Sequence, residues 1–93
     1  MSNRRYASVW DAIEDTPAAV ENMKLRSELM MALKKHIIRT GMSQAQAAKL
    51  FGVTQPRVSD LTRGKINLFG LDALVNMAAA AGLHVKMRVL DAA

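Results

Sequence analysis

SQAQAAKLFGVTQPRVSDLTRG, residues 43–64, is a pair of short amphipathic segments around a tight turn. Ser43 is a good N-cap, and Ala47, Ala48 and Phe51 share one helical face before Gly52 supplies a left-handed C′ position. The first segment is therefore a helix of about two turns. Thr54 caps the next helix, Pro56 fits its first turn where an N–H is not needed, and Val58 and Leu61 form the inward i, i+3 pair. The outward residues Gln55, Arg57, Ser59, Asp60 and Arg63 are donors and acceptors of the kind that meet base edges and phosphates. This is the pattern of a helix-turn-helix, with the start of its second helix free to enter a major groove.

Two further features separate it from an ordinary helical hairpin in a bundle. Ala48 is small where the helices should cross and Gly52 follows four residues later, so the reading expects a close backbone approach around the loop. Charge falls in the same place. Residues 34–65 contain seven cations (Lys34, Lys35, Arg39, Lys49, Arg57, Arg63, Lys65) and one carboxylate, Asp60, a net of seven minus one or +6, whereas the whole chain is +5. The first 28 residues instead balance five carboxylates (Asp11, Glu14, Asp15, Glu21, Glu28) against four cations. A near-neutral leader before a basic body points to nucleic acid contacted by the body.

The 93 residues leave room for one domain with a small core, a size at which association with a second copy often adds stability. There is no cysteine, hence no disulfide framework or thiolate metal site, and His36 and His84 are too distant in sequence for a local metal motif. No cofactor or metal is expected. No apolar run approaches the roughly 20 residues of a membrane span and no hydrophobic signal follows Arg4 and Arg5, so a cytoplasmic protein is the expectation. An enzyme is not expected either: no nucleophile stands with a base, no carboxylate pair suggests a cleft, and no glycine-rich phosphate loop occurs.

Outward from the hairpin, the chain divides into a leader (1–16), a helical domain (17–82) and a tail (83–93). Residues 1–5 are expected to be disordered and residues 7–14 to form a short helix or turn offering Val9, Trp10 and Ile13. Thr16 and Pro17 then read as the N-cap and N1 of a long helix ending at Gly41, with Leu25, Leu29, Leu33 and Ile37 as its apolar stripe and Met30 and Ile38 widening it. Residues 65–70 read as a loop. A last helix from Leu71 to about Ala81 turns Leu71, Leu74, Val75 and Ala78 inward until Gly82 ends it.

The period changes in the tail. Over residues 83–90, LHVKMRVL, Leu83, Val85, Met87 and Val89 alternate with His84, Lys86 and Arg88, which predicts a β-strand. A lone strand in a helical domain leaves both edges unpaired, so its expected partner is the same strand of a second copy across a two-fold axis. The alternative is an edge strand against the N-terminal segment.

SQAQAAKLFGV, QPRVSDL and RGK, followed by GKINLFGLDALVNMAAAAG and a terminal strand, resemble the XRE-type, lambda-repressor-like regulators, and in particular their HigA-type antitoxin branch. The resemblance covers residues 8–89. It implies a mainly α, lambda-repressor-like domain of five helices with a helix-turn-helix and a C-terminal β-strand that pairs across a homodimer through Leu83, Val85, Met87 and Val89. By it Gln44 and Thr54 belong to the DNA-binding set, Gln44 bracing the first helix against the phosphate backbone. Gln55 and Arg57 read bases, and Ser59, Arg63 and Lys65 hold phosphates. Gly70 departs from the pattern, standing where members often place a better N-cap.

The resemblance also implies a partner. Antitoxins of this branch are usually encoded beside a small RelE/HigB-like ribonuclease, neutralise it by binding, and repress their shared operon. The leader offers Val9, Trp10 and Ile13 among Asp11, Glu14 and Asp15, an acidic, aromatic segment suited to a basic toxin. The same Trp10 suits packing on the chain's own long helix. A stand-alone phage or mobile-element repressor has the same helix-turn-helix and no toxin, and a partner-binding adaptor without DNA function lacks any salt-dependent affinity for duplex DNA.

Overall fold

The computed structural model describes residues 16–91. Helix α1, Pro17–Thr40, starts as its sequence dictates: Thr16 is extended, its hydroxyl accepts from the Ala19 N–H at 3.1 Å, and Pro17 occupies the first turn. Gly41 ends it at φ 68°, donating its N–H to the carbonyls of Ile37 and Ile38. Helix α2, Gln44–Phe51, and helix α3, Gln55–Thr62, follow as the predicted hairpin, and helix α4, Leu71–Ala80, closes the domain.

The core lies where the four helices converge. Leu33 from α1, Ala47 and Phe51 from α2, Val58 and Leu61 from α3, and Leu74, Met77 and Ala78 from α4 are buried together, with Met30 and Ile37 beside them. No polar or charged residue is buried among the described residues, so this core asks for no internal hydrogen-bond partners.

Several expectations are corrected. Ile38 does not widen the stripe of α1; it is 77% exposed, because it lies about 100° around the helix from Ile37, past the edge of the core. Leu25 and Leu29 are only half-buried, and line a groove of about 340 Å³ between α1, α4 and the tail. In α4 the inward residues are Leu74, Met77 and Ala78, at i, i+3 and i+4, while Leu71 and Val75 sit at that groove. Residues 65–70 are more than a loop: Ile66–Leu68 form a 3₁₀ turn, and Phe69 drops to 1% exposure, among the most buried side chains of the domain.

The predicted C-terminal β-strand does not form: no strand occurs among the described residues. Leu83 returns its N–H to the Ala78 carbonyl at 2.9 Å and packs against the core, after which residues 84–91 carry neither helix nor ladder. A strand is defined by its neighbour. The helices of this domain satisfy their own backbones, so the alternating segment finds no edge to join among the described residues. Val85, Met87, Val89 and Leu90 are consequently exposed. The short helix and disorder expected in the leader, and Val9, Trp10 and Ile13, lie outside the described residues.

Candidate nucleic-acid interface

The hairpin is fixed locally at both of its starts. The Ser43 hydroxyl accepts from the Gln46 N–H at 3.1 Å while the Gln46 side-chain oxygen accepts from the Ser43 N–H at 2.9 Å, a reciprocal capping box. Gln46 is thereby committed to the fold, whereas Gln44, two residues earlier, is exposed and uncommitted by any such bond. At the other end Gly52 adopts φ 72°, and the Val53 N–H returns to the Ala48 carbonyl at 3.0 Å. A Cβ built at Gly52 would meet nothing within 4 Å, so the glycine is required by its left-handed backbone and not by the close approach that the sequence suggested.

Thr54 caps α3 through its hydroxyl, which accepts from the Arg57 N–H at 3.4 Å. Pro56 occupies the first turn, and Val58 and Leu61 are fully buried beneath. With the apolar side used up, Thr54, Gln55, Pro56 and Arg63 face solvent, and Ser59, one turn beyond Gln55 on the same side, is half-buried. Pro56 has no N–H and the caps take those of Gln46 and Arg57, so the end groups left to meet an anion are the N–H groups of Gln44 and Ala45 in α2 and of Gln55 in α3, the electrostatic setting that attracts phosphate. Lys65 is exposed as well, with its ammonium 3.9 Å from the Asp60 carboxylate; at this exposure such a pair is weak and leaves the lysine available to a stronger anion.

Arg57 is placed differently from the other candidates. Its Nη1 donates to the Leu68 carbonyl at 2.8 Å, and its guanidinium carbon sits 4.2 Å from the centroid of the Phe69 ring. A second guanidinium reaches the same turn from the opposite element: Arg26 of α1 donates to the carbonyls of Ile66 at 3.3 Å and Phe69 at 3.5 Å, its Nε held by the Asn22 side chain at 2.6 Å. Two arginines thus answer three carbonyls of the segment that follows α3. Reasoning from sequence missed Arg26 and Phe69. The apolar residues Ile66, Leu68 and Phe69 between Lys65 and Gly70 were the available signal, since a solvent loop has no use for them.

Of the residues expected at a dimer contact, Leu83 belongs partly to the core, while Val85, Met87 and Val89 are exposed. Among the described residues no three His, Cys, Asp or Glu side chains are grouped to hold a metal, and no helix is long and apolar enough to cross a membrane.

A family model described as a helix-turn-helix domain matches residues 12–90. A solved structure named as an XRE-family transcriptional regulator superposes with a TM-score of 0.71 at 30% sequence identity, over 77% of this chain and 81% of that one. The chain belongs to the XRE family of helix-turn-helix regulators. No curated protein matches it. Membership in this family of DNA-binding transcriptional regulators accounts for the hairpin's division into a buried apolar side and an open polar one.

Proposed function

We propose that this XRE-family regulator is a sequence-specific repressor that binds an inverted-repeat operator as a homodimer, each copy laying the N-terminal end of α3 in a major groove. The observation that carries the reading is the open polar edge formed by Gln44, Thr54 and Gln55 at the starts of α2 and α3, directly above the buried Val58 and Leu61. Base reading centres on Gln55. Gln44, Thr54, Ser59, Arg63 and Lys65 contact the flanking backbone, and Arg57 stands behind Gln55. The exposed Val85, Met87 and Val89 of the tail, with Leu83, supply the contact between copies, the two tails pairing across the two-fold axis.

The resemblance of the chain to HigA-type antitoxins supports a second role, the neutralisation of a small basic ribonuclease toxin of the RelE/HigB type encoded beside it. The acidic segment of the leader around Val9, Trp10 and Ile13, with Asp11, Glu14 and Asp15, is the proposed toxin contact. One experiment addresses both roles: footprinting of the chain on the DNA upstream of its own gene, together with co-purification of the product of the adjoining reading frame. The expected result is a protected palindrome with half-sites about 10 to 10.5 base pairs apart or a multiple of that. A co-purifying basic protein lost on Trp10→Ala while operator binding persists is also expected. Protection without any co-purifying protein would favour a stand-alone repressor, and no protected palindrome would remove autoregulation.

A further inference from the structure

An eight-residue recognition helix is a poorly anchored lever. The buried side chains of α3 are Val58 and Leu61, spaced i, i+3, so they define a line nearly along the helix axis. Apolar contacts on such a line resist lifting of the helix more than they resist its rolling about that line, because dispersion is non-directional. Roll matters here. A turn of about 20° moves a side-chain tip 5–6 Å from the axis by roughly 2 Å, enough to spoil a bidentate contact to a base edge.

The Arg57 guanidinium lies off that line and is held from two directions, by the Leu68 carbonyl at 2.8 Å and by the face of Phe69, itself buried. Both contacts are directional: a charge-assisted hydrogen bond in the plane of the guanidinium and a ring against its flat side. Their anchor is in turn tied to α1, since Arg26 bonds the carbonyls of Ile66 and Phe69 on either side of Leu68. The arrangement is a chain of contacts from the longest helix through the 3₁₀ turn to the first turn of α3.

We propose that Arg57 is a positioning residue: bonded to Leu68 and stacked on Phe69, it sets the roll of α3, so that base preference is carried by Gln55 and not by Arg57 itself. The proposal rests on the reading of α3 as the helix that enters the groove. It replaces a direct role in base reading, which the residue type and its place in the second helix suggest, with an indirect one.

The test is selection of binding sites from a pool of randomised duplexes by the full-length chain and by Arg57→Ala, Arg57→Lys and Phe69→Leu, with the folded fraction of each followed by circular dichroism. Failure of the unaltered chain to enrich any sequence would remove the groove-binding reading and this proposal with it. If it enriches a motif, Arg57→Ala is expected to bind every selected duplex about tenfold more weakly while preferring the same bases, because the unbraced helix must be brought to the same roll on binding at a cost common to all sequences, and Arg57→Lys, which keeps a donor for Leu68, to recover part of the loss. Phe69→Leu should reproduce part of the uniform loss, and adding it to Arg57→Ala should weaken DNA binding little further, since the contact between guanidinium and ring is already gone. A variant that lost preference at one or two base pairs and kept the others would make Arg57 a base reader and overturn the proposal. So would unchanged affinity in folded Arg57→Ala.

Discussion

The hairpin of α2 and α3 and the tail beyond Gly82 are both written in strongly patterned sequence, yet one is fully built within the chain and the other is not. In the hairpin each start is capped by its own hydroxyl, Ser43 or Thr54, the turn is set by Gly52, and the apolar residues Ala47, Phe51, Val58 and Leu61 are buried against neighbours a few residues away or on the adjoining helices. The tail alternates as regularly, but Val85, Met87 and Val89 remain exposed. The difference is where the hydrogen-bond partner resides. A helix finds its partner four residues back, so period and caps suffice, whereas a strand needs a second extended segment that this helical domain does not contain.

That contrast can be broken most forcefully in the core. Leu61→Ala should cost about 2–5 kcal/mol in urea unfolding, because the fully enclosed site cannot collapse completely around the vacancy, while Val89→Ala, 90% exposed, should stay within about 0.5 kcal/mol. Comparable losses would mean that the tail is packed as firmly as the hairpin. At the surface the contrast concerns DNA. Gln55→Ala is expected to lose about 1–3 kcal/mol on the operator and to relax base preference without altering unfolding, whereas Lys65→Ala weakens all duplexes alike and reduces the salt slope by about 1. Lys86→Ala, a cation of the tail, should leave gel-shift affinity where it was; a fall equal to that of Lys65→Ala would extend the DNA surface to the tail.

The smallest effect is the sharpest comparison. Gly52, at φ 72°, and Gly82, at φ 80°, end α2 and follow α4, and an added Cβ meets nothing within 4 Å at either. Since only the left-handed backbone is penalised, Gly52→Ala and Gly82→Ala should each lower stability by about 1–2 kcal/mol and by nearly the same amount in thermal unfolding. A clear inequality would show that one of the two turns relaxes and the other is held by its surroundings.

Much of the fold was legible because it is local. Thr16 and Pro17 mark the start of α1 and Gly41 its end, Ser43 and Gly52 bracket α2, Thr54 starts α3, and the inward residues of the hairpin follow from spacing alone. Legibility faded where two elements compete for one residue. Ile38 and Met77 each fit an apolar period, and only the position of the neighbouring helices decides that the first is exposed and the second buried. Arg57 likewise reads as a base contact when α3 is considered by itself, and Arg26 reads as one more solvated cation of α1.

The amino-acid sequence by itself determined the helices, their caps, the left-handed turns and the polar edge at the starts of α2 and α3, because each rests on interactions within about four residues or on one-dimensional period. The tertiary structure alone decided that Phe69 enters the core, that two guanidiniums converge on the turn behind α3, and that the alternating tail joins no ladder among the described residues. Those outcomes depend on contacts spanning 11 to 43 residues, as in Arg57 to Leu68 and Arg26 to Phe69, or on a missing neighbour. Neither separation nor absence leaves a periodic mark in a chain.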